Sequence, residues 1–336
     1  MGQDTYGVEP VNTMKAVVYH QYGGPEQLQL TDVAVPALKP GHVLVRVKAA
    51  SINSWDLDML RGQGLVNRLI SGWFKPRYRI LGADMAGVVE ALGSDCHDWK
   101  IGDEVFGDIA SAGFGAFAEY VLVPEKSLAR KSPGQSFVQA AALPQAGLLA
   151  IQGMRFHGDV QKGQKVLING AGGGVGPIAL TYAKHKGAHV TCVDREEKFE
   201  MLRACGADHC IDFTKTDYTA TGVLYDKVVD VIAHRTASDY KRCLSADGVF
   251  AMIGGSMRGL LFRMMIVEPW LSKFRKKKLG VMGYRVTRAH LEELVHLADS
   301  GSIKVVIDRT FPLHQIREAF DYFISGKFKG KIVMEV

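Results

Sequence analysis

The sequence predicts an α/β protein in two parts, a β-rich unit followed by a doubly wound parallel sheet. Three observations predict it. The first third of the 336-residue chain alternates apolar and polar residues and turns often. After Pro133, short apolar strands alternate with helical patterns. A glycine run, Gly170 to Gly176, stands where one of those strands hands over to a helix.

The β-rich part begins at Met14. Residues 15–19 are rich in β formers, Gly23-Gly24-Pro25 makes a turn, and 27–30 resume extended structure. Pro40-Gly41 turns into 42–49, where Val43, Val45 and Val47 share one face of a strand. Residues 86–91 and 116–123 read as further strands, with Gly102-Asp103 and Pro124 as breakers. Past Pro133, residues 137–156 read as one helix containing Pro144. Strands at 165–169 and 189–194 then alternate with helices at 177–186 and 196–205. Four more strands follow at 209–213, 226–232, 249–253 and 279–286, with a helix at 238–244. Strands this uniformly apolar argue for a sheet covered on both faces. Helices at 290–299 and 313–325 and a strand at 331–336 close the chain, which suggests a return to the β unit. The expected divisions are a flexible extension 1–13, the β unit in 14–135 and 287–336, and the nucleotide-binding unit in 136–286.

Composition narrows the class. With 47% hydrophobic and 23% charged residues the chain can bury a real core, which excludes disorder, collagen and a disulfide-stapled miniprotein. The net charge of +6 is local. Nine basic residues lie between Arg258 and Arg288 against Glu268 alone, so the remainder is slightly acidic and a general nucleic-acid binder is disfavoured. Five scattered cysteines without a C-x-x-C pair give neither a zinc knuckle nor a disulfide framework. No apolar run approaches the ~18 residues a transmembrane helix needs. The first residues lack the basic and apolar regions of a signal peptide, so the expected location is cytoplasmic.

The glycine run carries a ligand argument. Its spacing, Gly170, Gly173 and Gly176 with Gly172 and Gly174 between, allows a tight turn and a close backbone approach to a pyrophosphate. The helix beyond it offers free N–H groups, and Pro177 suits a first turn because its missing N–H would be unpaired there. Asp194 ends the next strand and is placed to accept hydrogen bonds from ribose hydroxyls. A carboxylate there repels a 2′-phosphate, which favours NADH slightly over NADPH; adjacent Arg195 could neutralise it or bind that phosphate. Gly170, Gly172, Gly173, Gly174, Val175, Gly176, Asp194, Arg195 and Lys198 are therefore cofactor-binding candidates. Gly254 and Gly255, at a later strand end, join them as a place where the nicotinamide half can approach the backbone.

An ordered set of motifs resembles one family. Its members are Gly23-Gly24-Pro25-Glu26, Ala50-Ser51-Ile52-Asn53-Ser54-Trp55-Asp56, Leu81-Gly82-Ala83-Asp84-Met85-Ala86-Gly87, Gly102-Asp103-Glu104-Val105, Ala142-Leu143-Pro144-Gln145-Ala146-Gly147, the glycine run, Gly206-Ala207-Asp208-His209 and Gly330-Lys331-Ile332-Val333. Together they resemble the medium-chain dehydrogenase/reductase superfamily, in its zinc-free quinone oxidoreductase-like branch. The resemblance runs from Met14 to Val336. It implies a GroES-like catalytic domain, a Rossmann domain and NAD(P)H in the cleft between them, and a homodimer joined through the sixth strand.

What the resemblance implies for chemistry follows from what is missing. Zinc-dependent members place a Cys in the segment aligned with residues 51–56 and a His-Glu pair where Ala83-Asp84 stands. Asn53 and Ala83 replace those ligands, and Asp84 alone cannot assemble a site, so no metal is expected. Without a Lewis acid, hydride transfer to an already polarised acceptor is the expected reaction: a quinone, or the β-carbon of an enone or enal. Asn53 is the candidate donor to the acceptor carbonyl or the nicotinamide ribose, and Asp56 would orient that loop, relay a proton, or serve as a helix cap. Tyr120, Gln145 and Tyr284 are candidate pocket residues, and Lys331 would support the cofactor or tie the last strand. The rival reading is a catalytically silent NAD(P)H-binding protein with a structural or RNA-binding role. The segment 257–279 mixes apolar residues with Lys273 to Lys278; lid, dimer contact and membrane or nucleic-acid surface are its three open readings.

Overall fold

The computed structural model describes residues 13–255, 264–265 and 276–336. The expected N-terminal extension lies outside the described residues apart from Thr13, and so does most of the basic–apolar segment 257–279.

The chain opens with an antiparallel pair, β1 (Thr13–Val18) and β2 (Gln29–Ala34). β3 (His42–Ser51) runs into α1 (Ser54–Arg61) and α2 (Leu65–Ser71), two helices that fill the gap before the next strand. β4 (Asp84–Leu92), β5 (Glu104–Asp108), β6 (Tyr120–Pro124) and β7 (Ala129–Arg130) complete the first pass through this unit. The expected strand at 116–123 is shorter. Its ladder with β3 starts at Tyr120; Glu119 is shared between Val47 of β3 and Lys15 of β1, and Phe117 is tied to Val17 and Leu81.

The expected single helix over 137–156 is two, α3 (Phe137–Ala141) and α4 (Pro144–Arg155). Pro144 cannot donate within a continuing helix, so the chain breaks before it and Pro144 starts a new first turn. The far end of α4 is capped by buried Lys227, whose Nζ donates to the carbonyls of Met154 (2.6 Å), Phe156 (3.0 Å) and Gly158 (2.5 Å). Those carbonyls would otherwise be orphaned. Burial pulls this lysine down to about 8.

β8 (Lys165–Asn169), α5 (Val175–His185), β9 (His189–Asp194), α6 (Phe199–Ala204), β10 (His209–Asp212), β11 (Tyr225–Asp230), α7 (Ala237–Cys243), β12 (Leu244–Met252) and β13 (Lys278–Val281) follow. These strands form a six-stranded parallel sheet in the order β10-β9-β8-β11-β12-β13, the doubly wound arrangement with helices on its faces. β13 stops at Val281, short of the expected end at residue 286, because its partner β12 ends opposite Val281.

α8 (Arg288–Asp299), β14 (Ile307–Pro312), α9 (Ile316–Ile324) and β15 (Lys331–Glu335) bring the chain back. β15 pairs antiparallel with β3, Val333 opposite Ser51, so the final strand closes the first sheet as expected. That return fixes the site. It carries Lys331 from one end of the sequence to the end of β3 at the other.

Candidate active site between the two sheets

The site is built where β3 and β5 end and β4 begins, beside the first turn of α4. Ser51 on β3 faces Asp84 on β4, and Asp84 faces Asp108 on β5. Sheet register therefore puts two carboxylates side by side in a fully buried place. Asp84 Oδ2 accepts from Ser51 Oγ (3.0 Å) and Asn53 Nδ2 (2.9 Å), and its Oδ1 accepts from the backbone N–H of Gln145 (3.0 Å). Lys331 Nζ donates to Asn53 Oδ1 (2.6 Å) and to the Ile52 carbonyl (3.3 Å), and lies 3.5 Å from Asp84 Oδ2.

Asp56, in the first turn of α1, accepts from the Asn53 N–H (2.9 Å) and the Gly82 N–H (3.1 Å). It thus ties the helix start to the segment that leads into β4. Asp108 Oδ1 accepts from the Ala110 N–H (2.9 Å), and its Oδ2 receives the Tyr284 hydroxyl from the other sheet's side. Tyr284 follows β13, so this hydrogen bond spans the two units.

Burial dominates the electrostatics. It pushes Asp56 and Asp108 up to about 7, with the neighbouring Asp84 charge adding to both. Asp84 is also raised by burial, against the pull of Lys331, and Lys331 is lowered by burial against the pull of the carboxylates. Burial, then Asp108, holds the Tyr284 phenol well above its ordinary value. Three buried carboxyls face one ammonium, so near neutral pH the cluster keeps a proton on Asp56 or Asp108 rather than carrying its full negative charge.

The glycine loop comes up against the same lysine. Gly170 leaves β8 at φ +75°, a left-handed conformation suited to glycine. A Cβ on Gly174 would stand 2.6 Å from Lys331 Cδ, and one on Gly176 would run into the Ala171 carbonyl. Gly330 N–H donates to the Gly172 carbonyl (3.1 Å), so the chain's tail clamps the loop. Val175 and Gly176 begin α5 with its free N–H groups. Asp194 ends β9 with Oδ2 on the Gly172 N–H (2.7 Å), Oδ1 on the Arg195 N–H (2.9 Å), and Lys198 Nζ 3.4 Å away. Gly254 and Gly255 close β12 against the Val231–Ala233 stretch, where any Cβ would meet backbone carbonyls.

The cleft thus brings together Asn53, Asp56, Gln145, Tyr284, Lys331 and the glycine loop. It does not include Tyr120. That phenol sits opposite Arg46, five residues along β3 from Ser51, and packs with Met14, Ala16, Val18 and Ala118; it is a packing residue of the β1 side. Asn53 also differs from its expected role. Its carbonyl holds Lys331 and its amide nitrogen donates to Asp84 Oδ2 and, at 3.4 Å, to the Ser51 carbonyl, so it braces the cleft rather than offering a free donor. Asp108 is a site residue that the sequence does not announce. Its partner is 176 positions away, and no local spacing signals such a pair.

Comparisons with known proteins agree with this architecture. Residues 39–133 match the alcohol dehydrogenase GroES-like domain and 205–334 the zinc-binding dehydrogenase domain. The NADPH-dependent alkenal/one oxidoreductase of Arabidopsis thaliana chloroplasts is 32% identical, covering 96% of this chain and 79% of that protein. The chloroplastic quinone oxidoreductase of Triphysaria versicolor is 31% identical over 96% of this chain and 98% of its own. The chain belongs to the medium-chain dehydrogenase/reductase superfamily, in its quinone oxidoreductase-like branch. Among solved structures, the quinone oxidoreductase from Coxiella burnetii superposes with a TM-score of 0.84 at 30% identity, covering 96% of this chain and 99% of that one.

The zinc named by one matching domain does not suit this superfamily member's donor set. Asn53 and Ala83 stand where the family resemblance places zinc ligands, and the nearby oxygen donor, Asp84, already faces the Lys331 ammonium at 3.5 Å. A zinc ion would have to displace that ammonium and the other donors on Asp84, and neither an alanine nor an amide engaged at both ends supplies the missing ligands. Among the described residues no group of three or more His, Cys, Asp or Glu side chains could hold a metal.

Proposed function

We propose that the protein is a zinc-independent reductase that transfers hydride from NAD(P)H to a quinone or to the β-carbon of an enone or enal. The observation that carries this reading is the joining of the glycine loop to a buried acid–lysine cluster through Lys331. The names of the relatives support the acceptor class.

The residues suit a dinucleotide. The Gly170–Gly176 turn leaves a backbone cradle that side chains would fill, and α5 aims its N-terminus there. Asp194, Arg195 and Lys198 would hold the adenosine end, and Gly254 and Gly255 would let the other end lie against backbone. When bound, NAD(P)H supplies the hydride. The chain's own residues orient and protonate. Lys331, Asn53 and Asp84 lock the strand ends that flank the cleft, which favours a fixed reacting geometry. The Asp108–Tyr284 couple supplies the proton: when Asp108 is protonated their hydrogen bond reverses, its carboxyl donates to the phenol oxygen, and the phenol hydrogen so freed passes to the acceptor oxygen or to the carbon beside the carbonyl. One acceptor thus takes one hydride and one proton.

Cofactor preference turns on Asp194. Its carboxylate disfavours a 2′-phosphate, which supports NADH, while Lys198 offsets much of that repulsion. Asp194→Ser is expected to raise kcat/KM for NADPH relative to NADH by about tenfold, the effect of one close charge pair; an unchanged ratio would remove Asp194 from cofactor choice. We also propose a homodimer joined along β13, since among the described residues no strand pairs with its outer edge. The five free cysteines fit a reducing, cytoplasmic location.

The test of the function is NADH and NADPH consumption with a panel of quinones, enals and secondary alcohols in the presence of a chelator. Turnover on quinones or enals without turnover of alcohols is expected. Tight cofactor binding with no turnover on any acceptor would instead favour the silent binding protein.

A further inference from the structure

α2 and the turn after it expose an apolar face that the reductase reading does not use. Leu69 is 69% exposed, Ile70 40%, Trp73 53% and Phe74 87%. An exposed aromatic pair beside two aliphatic side chains is an uncommon cluster for a solvated surface.

The backbone beneath this face is held. Tyr22 OH bonds Ser71 Oγ (2.8 Å) and donates to the Gly72 carbonyl (2.6 Å). Arg68 lies over the Tyr22 ring at 3.9 Å, donating through Nε to the Gly62 carbonyl (2.8 Å) and through Nη1 to the Trp73 carbonyl (2.9 Å). The Arg77 N–H closes the turn onto the Ser71 carbonyl (2.5 Å). The apolar side chains are therefore presented outward by a fixed frame.

Charge identifies the occupant. Between Asp58 and Asp84 the chain carries Arg61, Arg68, Lys75, Arg77 and Arg79 and no acid. Lys75, Arg77 and Arg79 are exposed, and none has a carboxylate partner among the described residues. Aromatic tips flanked by cations match the headgroup layer of an anionic bilayer, where the rings enter the acyl boundary and the cations meet phosphates. We propose that this face docks the protein on an anionic lipid surface, with Trp73 and Phe74 inserted and Lys75, Arg77 and Arg79 on the headgroups. Behind it Tyr78 packs on Phe114 (centroids 5.6 Å apart) and Phe114 on Trp55 (5.3 Å), two residues from Asn53. A lipophilic acceptor would so have an aromatic route from membrane to cleft, although the docking stands without the reductase reading.

The test is co-sedimentation of the full-length protein with vesicles of phosphatidylcholine alone or mixed with phosphatidylserine. Binding to the mixed vesicles only, weakening as salt rises, is expected. Trp73→Ser/Phe74→Ser should lower partitioning about tenfold or more. Lys75→Glu/Arg77→Glu should lower it by at least about fivefold per cation. Turnover with a water-soluble quinone should stay within about twofold in both. Absence of wild-type binding, or equal binding by both variants, overturns the proposal. So does a raised KM for the soluble quinone without vesicle binding, which would make the face a substrate lid. A dimer that dissociates on Trp73→Ser, with no lipid binding, would make it a self-interface.

Discussion

Lys331→Met is expected to cost about 3–5 kcal/mol of stability, because it leaves a buried carboxylate without its counter-charge. Asn53 Oδ1 loses its 2.6 Å donor at the same time, and Asp84 keeps only neutral hydrogen bonds. The loss should grow as pH rises, since Asp84 without the ammonium can relieve its burial only by taking a proton. Urea unfolding at acid and alkaline pH reads this directly. Adding Asp84→Asn to Lys331→Met should recover part of the loss, since the orphaned charge is gone; no recovery would mean that the ion pair is not what the lysine stabilises. Affinity for NAD(P)H should fall as well, because the Lys331 stem packs against Gly174 and its backbone neighbour Gly330 holds Gly172.

Asp108→Asn should change both stability and turnover through pH. The folded carboxyl sits near 7, above its ordinary unfolded value, so the native state holds a proton that the unfolded chain has released. Its contribution to stability is therefore fully present below about pH 4 and is lost as pH rises towards 7. Each tenfold gain in proton affinity on folding corresponds to about 1.4 kcal/mol, so the change across this window amounts to a few kcal/mol. Asn carries no such charge, so the variant should be flatter across that window and more stable than the wild type above it. Turnover should move the other way. In the wild type kcat should fall as pH passes about 7 and Asp108 loses its proton. The variant should lose about 10²-fold in kcat at lower pH and lose that alkaline limb. A limb that persists in Asp108→Asn would assign it to Asp56 instead.

The contrast between what is and is not legible in the sequence has a physical basis. The strands at 165–169 and 189–194 and the glycine turn are local patterns, set by side-chain period and by backbone freedom within a few residues. They are legible, and Asp194 follows from them by spacing. The helix break at Pro144 is visible as a residue but not as a division, because a proline can equally sit inside a kinked helix. The cluster itself is non-local. Lys331 meets Asn53 across 278 positions and Tyr284 meets Asp108 across 176. Only sheet register, fixed by the pairing of β15 with β3 and of β3, β4 and β5, brings them together. The same register carries Tyr120 out of the cleft, since a shift of five residues along a strand displaces a side chain by ~17 Å. Asn53 is legible as a site residue through its motif, but its bracing role depends on partners that no motif names.

Zinc-independent hydride transfer is tested by following deuterium from NADH or NADPH labelled at the reactive nicotinamide carbon to an enone in the presence of a chelator. Label is expected at the β-carbon of the saturated product, with the solvent proton on the carbon beside the carbonyl. Unlabelled product, or activity that disappears on chelation and returns with zinc, would contradict zinc-independent hydride transfer.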